Sequence, residues 1–215
     1  MKQSCKYDIS GLYEAQFEAG SQNKVLKNLL GVTDESEMDI LEARSLIETE
    51  RDIISKFSAN HRFKSKDICF IHKMWLGSIY PWAGKYRKVN LSKGDFQFAT
   101  AELIPSLMNN FEKNQLKRLT PCNFPEQDKV ISAISEVHVE LILIHPFREG
   151  NGRLARLFSS IMALQAGYSF LDYSDIKDGL REEYFKAVQA GLDRNYKPME
   201  NIFRIVFKKA SFLRG

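Results

Sequence analysis

Ile144-His145-Pro146-Phe147-Arg148-Glu149-Gly150-Asn151-Gly152-Arg153-Leu154-Ala155-Arg156 is the stretch around which the rest of this chain is organised. It places one titratable base, one carboxylate, a Gly-Asn-Gly turn and two arginines three residues apart between two segments of apolar, helix-like periodicity. That combination suits phosphate chemistry. An imidazole with an ordinary pKa of about 6.5 is mostly neutral at pH 7, so His145 is a candidate general base. Pro146 disfavours helical geometry at the residue before it, which predicts that the upstream helix stops at His145 and leaves the ring facing a loop. Gly150 and Gly152 are expected to let the backbone turn tightly and approach a ligand. A helix starting there would add its positive dipole end and unpaired N–H groups to an anion site. Arg153 and Arg156, at i and i+3, would share one face of that helix and fork onto phosphate oxygens. Glu149 could hold Mg²⁺ with one carboxylate while phosphates supply further ligands.

At these residues the chain resembles the Fic-domain signature, His-x-Phe-x-Asp/Glu-Gly-Asn-Gly-Arg-x-x-Arg, with His145, Phe147, Glu149, Gly150, Asn151, Gly152, Arg153 and Arg156 meeting every specified position. The resemblance implies an all-α domain, a Fic-type helical bundle with a short β-hairpin flap. It implies transfer of a nucleoside monophosphate, usually AMP from ATP, to a Tyr, Ser or Thr hydroxyl of a target protein in the presence of Mg²⁺. Carried over by position, His145 would deprotonate the hydroxyl and Glu149 would bind the metal. Gly150, Asn151 and Gly152 would cradle phosphates, Arg153 and Arg156 would hold the β- and γ-phosphates, and Phe147 would anchor the loop. A Doc-like kinase relative carries Lys where this chain has Gly152, so the resemblance favours nucleotidyl transfer. Trp82-Ala83-Gly84 and Gly94-Asp95-Phe96-Gln97-Phe98-Ala99 resemble the Fic flap, which implies that the edge of this hairpin pairs with an extended stretch of the target. Phe96 and Phe98 fit either that docking role or plain core plugs.

Outward from the signature, Val130, Ile131, Ile134, Val137, Leu141 and Ile144 recur at three and four, predicting a helix from about Pro125 into His145. Leu154, Leu157, Phe158, Ile161, Met162 and Leu164 predict a second helix, closed by Gly167. His138 lies on the first helix and is expected in the core or supporting the site, and His72 is expected to pack or face solvent. Tyr7 to Gly20 reads as an N-terminal arm. Val25, Leu26, Leu29 and Leu30 predict a short helix that Ser21 can cap and Gly31 can end. Thr33 or Asp34 can cap a helix over about 35–58, and Ser65 to Ile79 reads as another, with Phe70 among its buried residues. Lys85–Leu91 and Phe96–Thr100 alternate like strands joined by Ser92-Lys93-Gly94-Asp95. Thr100–Leu116, with Leu103 inward, Ile176–Leu192 and Met199–Phe212 complete the predicted bundle, with Tyr184 and Phe185 placed in the core.

At 215 residues, 44% hydrophobic and 27% charged, the chain fits one soluble domain over 1–215, with an arm at about 1–20 and a last helix at about 199–212. It has no apolar run of membrane length and no secretory leader pattern, so a cytoplasmic protein is expected, with translocation as an effector left open. Cys5, Cys69 and Cys122 form no framework, and the histidines are not at zinc-ligand spacing. A net charge of +4 spread along the chain does not favour nucleic acid. No P-loop pattern competes with the signature. Many Fic proteins carry an inhibitory Ser/Thr-x-x-x-Glu-Gly/Asn helix whose glutamate meets the second signature arginine, here Arg156. The stretches starting at Ser10 and Thr33 fail its last position and the tail Ser211–Gly215 lacks the glutamate, which leaves a separate antitoxin-like protein as the expected inhibitor. Three functions are compatible: AMP transfer, transfer of UMP or phosphocholine on the same scaffold, and a non-catalytic interaction module using the flap.

Overall fold

The structure, a computed structural model, describes residues 11–213. Its helices are α1 (Glu35–Lys56), α2 (Ser65–Leu76), α3 (Ile104–Phe111), α4 (Lys117–Leu119), α5 (Gln127–Ile144), α6 (Asn151–Gln165), α7 (Ser174–Asp178), α8 (Arg181–Ala190) and α9 (Lys197–Phe207). A two-stranded antiparallel hairpin, β1 (Ser92–Lys93) and β2 (Phe96–Gln97), is inserted between α2 and α3. The expected all-α bundle with a hairpin flap is therefore present. Helix α5 is its axis. Val130, Ile134, Ser135, Val137, His138, Val139 and Leu141 are all buried, so nearly the whole circumference of this helix is covered, as for a central helix. It packs against α3, α6, α8 and α9, while α1 and α2 form a second pair that reaches α6 through α2. Among the described residues no helix is long and apolar enough to cross a membrane.

The turn between α5 and α6 forms as Pro146 predicts. His145 caps α5 in the left-handed region at φ 51°, ψ 59°, with its N–H on the carbonyl of Leu141 at 3.0 Å. Gly150 opens α6, also left-handed, at φ 82°. Gly152, expected to share in the turn, lies instead within the first turn of α6, so Gly150 alone bears the conformational demand. Asp34 caps α1 through its side chain onto the N–H of Glu37.

Several expected elements form differently. No helix forms between Ser21 and Leu30. The buried Asn28 side chain donates to the carbonyls of Leu26 and Val32 and accepts from the N–H groups of Leu30 and Val32, so it takes the backbone groups a helical ladder would need. Ser21 bonds to the carbonyls of Glu18 and Val25 rather than capping a helix. Helix α2 ends at Leu76, not Ile79, and Phe70 is exposed on its outer face. Lys85–Leu91 is not a strand, because the N–H of Arg87 is taken by the carbonyl of Pro146. The hairpin is correspondingly short, with Ser92 opposite Gln97 and Lys93 opposite Phe96.

The stretch from Thr100 begins as a 3₁₀ turn with Leu103 exposed, becomes α3, and passes through a π-helical turn at Glu112–Leu116 into α4. Thr100 makes no capping bond. Ile176–Leu192 is broken at Gly179-Leu180 into α7 and α8, with a 3₁₀ turn at Gly191–Asp193. The last helix stops at Phe207, and Phe212 forms a bridge with Tyr168. The first ten residues of the N-terminal arm, Ser10 of the stretch tested for inhibition, and Arg214 and Gly215 lie outside the described residues. The arm seen from residue 11 onward packs on the loop between α5 and α6, where Arg148 Nε donates to the carbonyl of Glu14 at 2.8 Å.

Candidate active site

The loop His145–Gly150 is held from beneath. His72 on α2 accepts the N–H of Gly84 on Nδ1 at 2.8 Å and meets the carbonyl of Glu149 through Nε2 at 3.1 Å. Those two partners fix its tautomer, with the proton on Nε2. The ring is fully buried and lies flat on Phe147, centroids 3.9 Å apart and planes within 11°. Burial pushes its pKa down to about 4, so it stays neutral. Phe147, for which the resemblance implied an anchoring role, is fully buried with His72 as its seat.

Asn151 closes the loop from the other end. Its Oδ1 accepts the N–H of Phe147 at 2.9 Å and its Nδ2 donates to the carbonyl of the same residue at 2.7 Å. Both ends of that side chain are therefore occupied by the loop, which leaves its backbone N–H, at the start of α6, for an anion. A Cβ on Gly150 would stand 2.6 Å from the ring of Trp75, so glycine is required there by packing as well as by φ.

His145 faces outward from this support. Its Nδ1 lies 3.1 Å from the carbonyl of Ile142, which can only accept, so Nδ1 carries the proton and Nε2 presents a lone pair. One face of the ring is covered by Phe98, with centroids 3.6 Å apart and planes 20° from parallel. Burial lowers the pKa to about 4, partly countered by the bond to Ile142 and aided by the charges of Arg87 and Lys93. The imidazole is neutral at pH 7.

A cavity of about 570 Å³ opens in front of it. His145, Arg148, Glu149, Asn151, Gly152 and Arg156 line it together with Phe98, Ile142, Ile176, Tyr184, Phe185 and Val188. Hydrogen-bonding and cationic groups thus share the cavity with an aromatic recess, as a site for both the phosphates and the base of a nucleotide requires. Tyr184 and Phe185, placed in the core from sequence, are half-buried walls of this cavity. The flap forms its rim: Phe96 meets Phe185 edge-on at 5.8 Å, and the Lys93 ammonium sits 5.3 Å from the same ring. Gly94, Asp95 and Gln97 are exposed at the tip, where Gly94 takes φ 58°. Phe98 lines the cavity and packs against the core, and half-buried Phe96 packs on Phe98 and Phe185.

The two signature arginines part company. Arg156 faces the cavity and pairs with no carboxylate among the described residues. Arg153 turns away. Its guanidinium forms a 2.6 Å ion pair with buried Glu42 of α1, stands 3.4 Å from Glu149 and stacks 4.8 Å over Trp75. Glu149 has nearly half its side chain exposed and one oxygen on the N–H of Gly150 at 2.8 Å. Among the described residues no group of three or more His, Cys, Asp or Glu could hold a metal by itself. Glu149, accessible although it also meets Arg153, could hold magnesium, which keeps several waters and takes few protein ligands.

Behind Arg156, His138 is fully buried between Ser159, at 2.9 Å from Nδ1, and the hydroxyl of Tyr184, at 2.6 Å from Nε2, consistent with a supporting rather than a reacting histidine. Glu42, His72, Arg87 and Arg148 carry no local pattern that marks them as site residues. Their contacts come from partners far along the chain.

A model of the Fic/DOC family matches residues 62–163. The chain is 34% identical over 149 residues to "Protein adenylyltransferase VbhT" of Bartonella schoenbuchensis, a match covering 67% of this chain and 30% of that protein. It is 28% identical over 148 residues to "Probable protein adenylyltransferase Fic" of Salmonella typhimurium, covering 66% of this chain and 69% of the other. Among solved structures, BepC of Bartonella tribocorum with bound AMPPNP superposes with a TM-score of 0.72 at 18% identity, over 95% of this chain and all of that one. The N-terminal Fic domain of a Bartonella quintana effector with bound ADP gives a TM-score of 0.69 at 21% identity, over 89% of this chain. With the signature residues 145–156 assembled on one loop and helix inside the matched segment, the chain belongs to the Fic/DOC family.

Proposed function

We propose that this protein is an adenylyltransferase that moves AMP from ATP onto a Tyr, Ser or Thr hydroxyl of a target protein. The observation that carries the proposal is the single tautomer of His145, whose bare Nε2 opens onto a cavity floored by the N-terminus of α6. Support comes from the relatives named adenylyltransferases and from the nucleotide analogue and nucleotide bound by the similar folds.

In the proposed reaction the target hydroxyl oxygen bonds to the α-phosphorus, the bond from that phosphorus to the bridging oxygen breaks, and pyrophosphate leaves. The hydroxyl proton passes to Nε2 of His145. The backbone N–H groups from Gly150 to Gly152 and the Arg156 guanidinium would hold the phosphates in place. Glu149 would hold the Mg²⁺ that supplies charge neutralisation for the phosphates. Arg153 is held by Glu42, so Arg156 would be the principal phosphate-binding arginine. The aromatic recess of Tyr184 and Phe185 would take the base.

The exposed edge of the hairpin would receive an extended segment of the target by backbone pairing and set its hydroxyl beside His145. Inhibition, where it occurs, would come from a separate protein that supplies a carboxylate to Arg156. In the described part of the chain Glu37, in the Thr33 stretch, is exposed in the first turn of α1, and the carboxylate of α1 that meets a signature arginine is Glu42, on Arg153.

The test is label transfer to protein from α-labelled ATP with Mg²⁺, with γ-labelled ATP and His145→Ala as controls. Label from the α-position that disappears in His145→Ala supports the proposal. Label from the γ-position, or transfer that survives the substitution, refutes it.

A further inference from the structure

Arg87 is 1% exposed, yet its guanidinium pairs with no carboxylate among the described residues. A buried cation needs its charge and its donors met, because the solvation it has lost is worth several kcal/mol. Here carbonyl oxygens meet the donors, and the charge of Glu14 offsets part of the lost solvation. Nε donates to His145 at 2.7 Å, one terminal nitrogen to Val89 at 2.6 Å, and the other to Ala99 at 2.6 Å and Ile144 at 3.5 Å. The backbone N–H of Arg87 donates to Pro146 at 2.8 Å. Three consecutive carbonyls around the proposed base are therefore addressed by one residue.

The placement follows from the helix end. Ile144 and His145 close α5, where carbonyls lack intrahelical donors and the dipole is negative, so a guanidinium is the favoured cap. His145 also sits in a left-handed conformation that a side-chain-bearing residue adopts only when its surroundings hold it there. Ala99 belongs to the stem of the flap, next to Phe98, the ring that covers His145. The same guanidinium thus holds both the backbone that aims the imidazole and the stem that roofs it.

We propose that Arg87 is a positioning residue for the transfer reaction: by clamping the carbonyls of Ile144, His145 and Ala99 it fixes the direction in which His145 Nε2 points and the seat of Phe98 over the ring. The proposal rests on the reading of His145 as the base. Arg87 itself is not among the residues that line the cavity. It differs from a structural pin in what it controls, which is the orientation of one ring rather than the folded state as a whole.

The experiment compares wild type, Arg87→Lys and Arg87→Met in the full chain, using the steady-state kinetics of label transfer and the imidazole ¹⁵N signals of histidine-labelled protein at pH 7. His145→Ala assigns the His145 signals. Lys keeps the charge but has no fork, and Met keeps the length alone. The expected result is a kcat lower by one to two orders of magnitude in Arg87→Met with KM for ATP within about twofold, and an intermediate kcat in Arg87→Lys. With it, the His145 nitrogens change from one fixed tautomer to averaged signals in Arg87→Met and recover in part in Arg87→Lys. Unchanged His145 signals in Arg87→Lys overturn the proposal whatever the activity, and so does a fall confined to KM. Should Arg87→Met fail to fold, Arg87→Lys decides alone. Transfer that survives His145→Ala would refute the base itself, while the ring signals still report whether Arg87 orients it.

Discussion

Gly150→Ala and Gly152→Ala should move stability in opposite directions although the two glycines flank a single residue. At Gly150 the backbone has φ 82°, which costs a side-chain-bearing residue about 1–2 kcal/mol. The new Cβ would also stand 2.6 and 2.9 Å from two ring carbons of Trp75. That ring cannot swing aside: it is fully buried, its Nε1 donates to the carbonyl of Glu42 at 2.9 Å, and Arg153 lies across it. Overpacking against a fixed neighbour adds about 1–3 kcal/mol, for a combined loss of about 2–5 kcal/mol. At Gly152 neither penalty applies. Its φ is ordinary, and a Cβ would sit 3.7 Å from a terminal nitrogen of Arg156, normal contact distance. Glycine inside a helix gives up about 0.5–1 kcal/mol relative to alanine, so Gly152→Ala should stabilise by that amount. Urea unfolding followed by the fluorescence of Trp75 and Trp82 measures both, with equal m-values as the check on two-state behaviour. If both variants lose stability equally, or Gly150→Ala loses less than about 1 kcal/mol, the assignment of the turn to Gly150 alone is wrong.

Three desolvated histidines, two buried and His145 half-buried, govern the acid side. His72 and His145 are pushed down to about 4 and His138 to about 3, while the unfolded chain titrates near 6.5. Between those values the unfolded state binds the extra protons, so stability should be full above about pH 6.5 and fall as pH drops toward 4, by up to about 1.4 kcal/mol per pH unit for each histidine. Transfer activity should therefore hold level from pH 7.5 to about 5.5 and then fall together with the folded fraction; a kinetic midpoint near 6.5 in fully folded protein would contradict the neutral, desolvated state of His145. Glu42→Gln keeps an oxygen that can accept from Tyr80 but removes the charge from that bond and from the ion pair of a partly exposed Arg153, so a stability loss of about 1–2 kcal/mol is expected once screening is allowed for. The freed Arg153 should lower KM for ATP severalfold. A higher KM would mean that Glu42 aims the arginine instead of restraining it.

What could be read from the sequence was what depends on near neighbours. The stripe from Val130 to Ile144 and that from Leu154 to Leu164 declare their helices because burial on one helix repeats at short intervals, and Pro146 declares the break because its ring acts on the residue before it. The signature loop was legible for the same reason, as its chemistry lies within a few residues. The misread stretch from Ser21 to Leu30 shows the limit. Its apolar spacing suits a helix, but one amide, Asn28, satisfies backbone groups on both sides of itself and competes successfully with the ladder. Arg87 and Glu42 were invisible for another reason. A lone arginine in a strand-like run, or a glutamate on an amphipathic helix, is unremarkable until folding brings it to a carbonyl or guanidinium from a distant segment. Arg153 looked equivalent to Arg156 at helical spacing, and only Glu42, a residue of α1, separates them.

His72 has a consequence for anyone who would exchange parts between such proteins. One ring accepts from Gly84, donates to Glu149 and carries Phe147 on its face, so the segment before the hairpin and the signature loop meet on a single imidazole of α2. The offset between the hairpin and the signature loop is therefore set by two hydrogen-bond lengths and a stacking distance, not by the lengths of the intervening chain. A hairpin grafted from another protein to redirect target choice would keep its alignment only if the donor segment began upstream of Gly84 and the host retained His72. A junction placed between Gly84 and the hairpin would cut the graft off from that seat, and one that replaced His72 would leave the graft attached but out of register with the base.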